Sequence, residues 1–435
     1  MNFLNNFFHL KERKTNVRIE FIAALTTFFS MAYILVVNPS ILSATGMPYN
    51  ALITATAFAS ALGCFLTGFI ANLPYCQSIG LGLNSMFAFS LCLGMGMTWQ
   101  HAAAIVFISG ILFVILMATP LRKKLIDALP ISIRAAISVG IGLFICIIAL
   151  FNAGIISANE NLLSLNSLTS GAPLLFIIGL IITSILLIFK VPGAIFIGII
   201  ASTIIGLPLK ITAIPSDIWG QQASISPLFM KLQFNGLFTY GIFPVIGAIV
   251  SFFLVDVWDT IGTLTAAHSL ATDLYDKDGA LIGHDKALLA DAIATCSGSL
   301  FFSQSTTTTF VESVNGIAAG GRTGLTSIFV GILFLLASVF TPLFSIVPAA
   351  ACAPALVIVA VMLMSNVTKI DWTDMEIAIP SFLTIAFMPF SYSISNGIAV
   401  GVISYVIIKM CKGKFKEINP LMYVLAVLFI LMFAL

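Results

Sequence analysis

The sequence consists largely of long apolar runs, separated by short stretches that contain polar residues, Pro or Gly. An α-helix needs about 20 mostly apolar residues to cross a bilayer core. The runs are continuous and do not alternate between polar and apolar residues, which excludes a transmembrane β-barrel. Only 8% of the residues are charged, whereas soluble domains contain about 25%. With a mean hydropathy of +1.12, the chain is predicted to be an all-α membrane protein.

About fourteen runs are long enough to be membrane segments. They cover residues 21–37, 51–70, 79–95, 102–118, 135–153, 174–189, 194–205, 242–264, 287–300, 306–319, 325–340, 353–364, 377–407 and 421–435. The run 377–407 is long enough to contain one more segment. A division near residue 225 leaves seven runs on each side, which gives the halves opposite orientations, as in inverted-repeat transporters. We expect an N-terminal segment at 1–18 and repeats at 19–225 and 226–435.

Basic residues predict the orientation in the membrane. The cluster at 11–18, residues 122–124 and Lys190 fall on one side if every run spans, and the positive-inside rule makes that side cytoplasmic. The first run is longer than a signal-peptide core and has no small-residue cleavage pattern, so we expect it to be retained in the plasma or inner membrane. The titratable residues of the loop after the eighth run are expected to be solvated: His268, Asp273, Asp276, Asp278, His284, Asp285 and Lys286.

The seven cysteines form no C-x-x-C pair, and most lie inside apolar runs. This pattern is typical of small core residues and does not indicate a metal site. No basic face with interleaved aromatic residues occurs, which argues against a nucleic-acid partner.

Asp256 and Asp259 interrupt the apolar stretch FFLVDVWDTIGTL at 252–264. Their i, i+3 spacing places both on one face of a helix. A charge at the bilayer centre costs at least about 2.5–3.5 kcal/mol, and two neighbouring carboxylates cannot both ionise cheaply in a low dielectric. The pair is therefore predicted to accept a proton. The alternative is that the two acids cap a broken helix or hydrogen-bond a neighbouring one.

The third run of each half is polar and contains Gly: SIGLGLNSMFAF in the first, SQSTTTTFVESVNGIAAGG in the second. Interrupted segments in corresponding positions indicate the substrate site of inverted-repeat transporters. The four threonines favour an extended strand, which would feed a half-helix next to Glu312. Asn84, in the first segment, is expected either to bind substrate or to hydrogen-bond another helix, and Glu312 could instead belong to a polar packing seam. Asp291 and Glu20 are expected to be structural, and Arg322 to anchor the end of the half-helix.

Four motifs together resemble one family. LTTFFSMAYILVVNPSIL (25–42), GLGLNSMFAF, VDVWDTIGTL and TTTTFVESVNGIAAGGRTGLT occur in the order found in AzgA-like nucleobase:cation symporters, the permeases for hypoxanthine, guanine and adenine. The resemblance covers nearly the whole chain. It implies two inverted repeats of seven segments, core and gate domains, short strands in the third and tenth segments, and an elevator-like movement, often in a homodimer.

The resemblance also implies which residues form the site. The binding residues of the family match Asn84, Asp256, Asp259 and Glu312, with Gly82 in the third-segment motif and with Phe310 and Ser30 flanking by position. Asp256, Asp259 and Glu312 would take part in proton coupling. The chain departs from the family at Gln77 and Ser78, where Ala-Pro-Gly is common, and at Asn315 in SVNG, where SAAG is common.

The predicted function is proton-coupled import of purine bases, with guanine and hypoxanthine favoured and adenine an alternative. Glu312 and Asp259 would face the base, while Asp256 would support them or share the proton. No cofactor or metal is expected beyond the coupling ion, which is H⁺ unless Na⁺ replaces it. Two alternatives remain open from the sequence: an inorganic-anion transporter of the same broad fold, and an intramembrane aspartyl hydrolase.

Overall fold

A computed structural model describes residues 2–119, 129–158, 163–169, 171–213, 223–266, 271–275 and 281–434. The elements of the N-terminal half are α1 (Asn2–Phe8), α2 (Val17–Met31), α3 (Ile34–Leu42), α4 (Tyr49–Leu66), β1 (Gln77–Ile79), α5 (Leu81–Ser85), α6 (Trp99–Ala118), α7 (Ile131–Asn152), β2 (Ile156–Ala158), β3 (Leu163–Leu165), α8 (Gly171–Ile188) and α9 (Ala194–Gly206). Those of the C-terminal half are α10 (Ile242–Ala266), α11 (His284–Phe302), β4 (Thr307–Thr309), α12 (Ser313–Ala318), α13 (Gly324–Ser338), α14 (Thr341–Ser345), α15 (Ala349–Met364), α16 (Met375–Phe390), α17 (Ile394–Cys411) and α18 (Pro420–Ala434). Helices α4 and α5 continue as π-helical turns over Thr67–Ala71 and Met86–Gly94.

Eight helical segments of the described chain are long and apolar enough to cross a membrane, and five shorter apolar helices accompany them. The run 377–407 consists of two helices, α16 and α17, because the chain turns at residues 391–393. Ser393 caps the second of these helices by accepting a hydrogen bond from the Asn396 N–H at 3.3 Å. Run 377–407 thus supplies the additional segment that its length allowed, and α18, the last of the fourteen runs, becomes an eighth apolar segment of the C-terminal half.

The membrane segments form two groups of helices. In the first, the core bundle, α2, α4, α6, α10, α11 and α13 pack around the strands β1 and β4. The second, the gate bundle, consists of α7, α8, α9, α15, α16 and α17. Helices α3 and α5 contact members of both bundles, and α18 packs against α10 and α17. Each bundle therefore contains helices from both halves of the chain.

Strands β1 and β4 form a two-stranded antiparallel ladder within the core bundle, with Gln77 opposite Thr309. Two further backbone bonds extend it: the Gly80 N–H donates to Thr306 O at 3.0 Å, and the Phe310 N–H donates to Cys76 O at 2.9 Å. All six strand residues are buried. β-Branched threonines favour this extended backbone, and the ladder satisfies the N–H and C=O groups that lipid could not. The predicted strands in the third and tenth segments are confirmed.

Glycines on the neighbouring helices let this ladder pack closely. A Cβ on Gly63 of α4 would lie 2.8 Å from Gln77 Cβ, and one on Gly298 of α11 would lie 2.3 Å from Thr307 Oγ1. Small residues allow such close approach between membrane segments. The ladder is thus held between α4 and α11.

An ion-pair cluster joins two helices of the gate bundle. Lys409, in the last turn of α17, is buried and lies 2.8 Å from the Glu376 carboxylate in the first turn of α16. Lys414 also contacts Glu376, and the exposed Glu417 contacts Lys409, each at 2.9 Å. Because a buried charge is stable only when paired, this cluster fixes the ends of α16 and α17 relative to each other.

The predictions for the cysteines and for the loop residues can be compared with the structure. Four cysteines are buried, as predicted, but Cys411 is exposed at the end of α17, so a core position is wrong there. Asp273 is exposed, yet its carboxylate pairs with Arg322 Nε at 2.8 Å. Residues 122–124, His268, Asp276 and Asp278 lie outside the described residues, so the structure gives no test of their predicted roles.

Candidate functional site

The two acids of α10 differ in their surroundings. The Asp259 side chain is exposed, although it lies within a long apolar helix. Asp256, one turn earlier, is 1% exposed, and its Oδ2 accepts a hydrogen bond from Thr295 Oγ1 at 3.0 Å. Its Oδ1 has no hydrogen-bond partner among the described residues. One acid is therefore accessible to a ligand, whereas the other is enclosed and only half satisfied.

Asp291 fixes the strand that leads to Glu312. It is fully buried on α11, and its Oδ1 accepts from the Thr309 N–H at 2.8 Å and from Thr309 Oγ1 at 3.0 Å. Its Oδ2 accepts from Thr260 Oγ1 at 2.8 Å, which links β4 to α10. The sequence places Asp291 near a loop, but the fold buries it against β4. The expected structural role agrees with these contacts.

Glu312 directly precedes α12 and is half-buried. Its Oε1 accepts a hydrogen bond from the Tyr33 hydroxyl at 2.5 Å. Tyr33 is located where the first membrane segment turns between α2 and α3, and it is 2% exposed. The strand and the half-helix therefore present Glu312 to α2, and the tyrosine fixes one of its two oxygens.

The four acids form one electrostatic cluster. Asp256 and Asp259 lie one turn apart on α10. Asp291 bonds to the residue that follows Asp259 and to the last residue of β4, three residues before Glu312. Within the described residues, no lysine, arginine or histidine forms an ion pair with any of them. Like charges without a counter-ion repel in a low dielectric, so the cluster favours binding of a proton or of a hydrogen-bond donor.

Asn84 belongs to a buried network of amides. Its Nδ2 donates to Asn38 Oδ1, and Asn38 Nδ2 donates to Thr56 Oγ1 at 2.6 Å and to Gln304 Oε1 at 2.7 Å. These bonds connect α5 to α3, α4 and the segment before β4. The Asn84 Oδ1 has no partner among the described residues. The structure thus shows the interhelical contacts that the sequence left as one alternative, together with one free acceptor.

The remaining predicted residues, Gly82, Phe310 and Ser30, lie on three different elements. A Cβ on Gly82 would lie 2.8 Å from Ile141 Cγ2, so this glycine lets α5 pack against α7 of the gate bundle. Phe310 is buried beside the ladder. Ser30, on α2, accepts a hydrogen bond from Asn315 Nδ2 at 3.1 Å. Asn315, which departs from the family pattern, therefore joins α12 to α2.

The other two departures from the family pattern lie in β1. Ser78 Oγ is 2.6 Å from Ser60 Oγ of α4. Both polar atoms of the Gln77 amide are buried without a partner among the described residues. These residues therefore add polar groups to the ladder.

Sequence reasoning missed residues that hold the side chains of the site: Tyr33, Thr260 and Thr295 bond to acids, and Asn38 bonds to Asn84. Tyr33 and Asn38 belong to the first motif, and a polar residue within an apolar run was the available signal. Thr260 follows the second acid of VDVWDT directly. Each contacts a site residue through a distant segment, which spacing along the chain does not reveal.

Arg322 contacts the end of the half-helix, as predicted. Its Nη1 donates to Ile317 O at 2.8 Å and to Gly321 O at 2.9 Å. The Arg322 N–H donates to the buried carboxylate of Glu20 at 3.0 Å, so Glu20 is a structural contact of the same turn.

Comparison with known proteins agrees with this architecture. A family model described as "Permease family" (Xan_ur_permease) matches residues 18–400. Guanine/hypoxanthine permease PbuG of Bacillus subtilis is 43% identical over 99% of both chains. Adenine permease AdeP of Escherichia coli is 38% identical and is matched over 98% of this chain and 95% of its own.

Solved structures show the same fold at low identity. The transmembrane domain of the cyanobacterial bicarbonate transporter BicA matches 90% of this chain and 97% of its own length, with a TM-score of 0.63 and 16% identity. Murine Slc26a9 in the inward-facing state matches 91% of this chain and 68% of its own, with a TM-score of 0.67 and 12% identity. The predicted fold of two inverted seven-segment repeats is thereby confirmed, with α18 as an addition. The chain belongs to the permease family that the motifs indicated, and it is a multi-pass membrane transporter and not an enzyme.

Proposed function

We propose that this protein imports purine nucleobases together with protons. Asp259 is exposed on α10 and Glu312 is half-buried after β4, and neither forms an ion pair with a basic residue among the described residues; these two acids support the proposal most directly. The relatives named as guanine/hypoxanthine and adenine permeases match nearly the whole chain and support the same substrate class.

The chemistry of the base fits these acids. A purine has apolar faces and a rim of hydrogen-bond donors and acceptors. An ionised carboxylate can accept parallel bonds from N1–H and the exocyclic amine of guanine, or one bond from N1–H of hypoxanthine. Glu312 and Asp259 accept these bonds, and the free Oδ1 of Asn84 offers a further acceptor. Gly82, Phe310 and Ser30 line the rest of the proposed substrate site.

Proton coupling follows from the charge balance of the cluster. Asp256 is buried, one of its oxygens has no partner among the described residues, and it lies one turn from Asp259 on the same helix. A proton on Asp256 removes the repulsion that would otherwise oppose an ionised Asp259 and Glu312. Binding of the proton and binding of the base therefore favour each other, as linkage requires. No other cofactor is needed.

The arrangement of the bundles supports an elevator-like mechanism. All four acids belong to the core bundle, whereas Gly82 packs against α7 of the gate bundle. A movement of the core bundle along the gate bundle would expose the same site to either side of the membrane. We propose that the protein works as a homodimer with the gate bundles fixed, in the plasma or inner membrane and with a cytoplasmic N-terminus.

Uptake of radiolabelled guanine and hypoxanthine into liposomes containing the purified protein tests the proposal. We expect uptake to accelerate when an inward proton gradient is imposed and to respond less to an inward Na⁺ gradient. Unchanged uptake with a proton gradient would refute the coupling, and no uptake of any purine would refute the substrate class. Glu312→Ala is expected to abolish binding, and wild-type affinity in that variant would remove Glu312 from the site.

A further inference from the structure

Helix α2 and the turn that follows it contact the half-helix α12 and the residue before it at successive positions about one turn apart. Tyr33 bonds to Glu312, and Ser30 accepts from Asn315. One residue further along α12, Gly316 has no side chain, and a Cβ there would overlap Thr27 Oγ1 at 2.0 Å. The half-helix is therefore seated on α2, and Tyr33 is the contact that reaches the acid itself.

The Tyr33 hydroxyl donates its hydrogen to Glu312 Oε1. A hydrogen bond from a phenol is stronger to an ionised carboxylate than to a neutral carboxyl group, so this contact favours the ionised form of Glu312. Tyr33 is buried, so water does not compete for the hydroxyl hydrogen. Its phenol has one hydrogen, which is directed at Oε1 and leaves Oε2 for a ligand.

We propose that Tyr33 is a specificity-determining positioning residue, which holds Glu312 as a hydrogen-bond acceptor and so selects purines with N1–H over adenine. This inference rests on the proposed function. Guanine and hypoxanthine present N1–H to the carboxylate, whereas N1 of adenine is itself an acceptor. Adenine would need a protonated carboxyl or an amide at this position. A donor that stabilises the ionised carboxylate therefore disfavours adenine.

Tyr33→Phe tests this directly, because it keeps the ring and removes only the hydroxyl. The readout is the ratio of guanine to adenine affinity, measured by equilibrium binding to the purified full-length protein. We expect the ratio to fall on the order of tenfold, mainly through weaker guanine binding, since hydrogen bonds to charged groups contribute that much. A ratio equal to that of the wild type, with guanine still bound, would overturn the inference.

Tyr75→Phe is the matched control. Tyr75 is also fully buried, but its hydroxyl donates to a backbone carbonyl, Leu264 O, at 2.9 Å. This variant is expected to lose stability and to keep the wild-type ratio, whereas a fall equal to that of Tyr33→Phe would overturn the specific role of Tyr33.

A second variant keeps the test independent of how well Tyr33→Phe folds. Glu312→Gln places an N–H donor where the carboxylate accepts, and it is expected to lower the same ratio. An unchanged ratio in Glu312→Gln would also overturn the inference. If the wild-type protein binds no purine at all, the proposed function itself fails, and that outcome is distinct from either variant result.

Discussion

Gly316 tests how closely the half-helix must lie against α2. A Cβ on this residue would lie 2.0 Å from Thr27 Oγ1 and 2.8 Å from Ala23 O. Non-bonded carbon atoms pack best at about 3.5–4.0 Å, and real Cβ atoms essentially never approach another heavy atom to under 3.0 Å. The threonine hydroxyl could rotate, but the carbonyl belongs to the backbone of α2. Gly316→Ala must therefore move α12 away from α2, and overpacking of this kind costs about 1–3 kcal/mol.

The displacement should weaken substrate binding as well as stability. Glu312 lies one helical turn before Gly316, so a shift of α12 lengthens the Tyr33 contact. We expect a lower melting temperature in thermal unfolding of the purified protein and weaker guanine binding by the folded fraction. Thr27→Ala combined with Gly316→Ala removes Oγ1 and should restore part of the melting temperature and part of the guanine affinity.

Gly262→Ala provides the matched control for stability. Gly262 lies in α10, and a Cβ there would meet no atom within 4 Å. Alanine is favoured over glycine within helices by about 0.5–1 kcal/mol. This variant should keep or raise the melting temperature. If Gly316→Ala unfolds at the wild-type temperature and binds guanine normally, close packing on α2 does not position Glu312.

Three further predictions concern the supporting contacts. Asp291→Ala removes the acceptor of three hydrogen bonds and should lower the free energy of unfolding by about 3 kcal/mol. Thr309→Val keeps the backbone bond to Asp291 and should cost less. Equal losses of the two variants in chemical denaturation would argue against Asp291 as the residue that fixes β4. Glu376→Ala removes the carboxylate that pairs with Lys409 and Lys414 and should lower the melting temperature more than Glu417→Ala, which removes only the exposed partner of Lys409; thermal unfolding compares the two. Asn84→Ala should weaken guanine binding in addition to lowering stability by about 1–2 kcal/mol, and a loss of stability alone would assign Asn84 to helix contacts only.

Local features of the sequence predicted most of the fold. Continuous apolar runs are sufficient to identify membrane helices, since lipid leaves the backbone few alternatives. The threonines before Phe310 identified β4 through their preference for extended backbone. The length of run 377–407 allowed a second helix but did not locate the break, because the turn there depends on a single serine cap inside an apolar stretch.

The candidate site was predicted less completely. The acids stand out because charge is rare within apolar runs, so Asp256, Asp259 and Glu312 could be selected without a structure. Their partners are ordinary hydroxyl residues, such as Tyr33 and Thr295, and nothing in the local sequence distinguishes these from others of the same type. Asp291 shows the same limit, because its importance comes from a strand that the fold brings to it.

The β1–β4 ladder has a consequence for biogenesis. Because β1 belongs to the first half of the chain and β4 to the second, the backbone groups of β1 have no strand partner until most of the protein has been synthesised. An emerging N-terminal half would expose unpaired N–H and C=O groups within the membrane, which is costly. We therefore expect the two halves, expressed as separate polypeptides, to be degraded individually and to accumulate only when they are co-expressed.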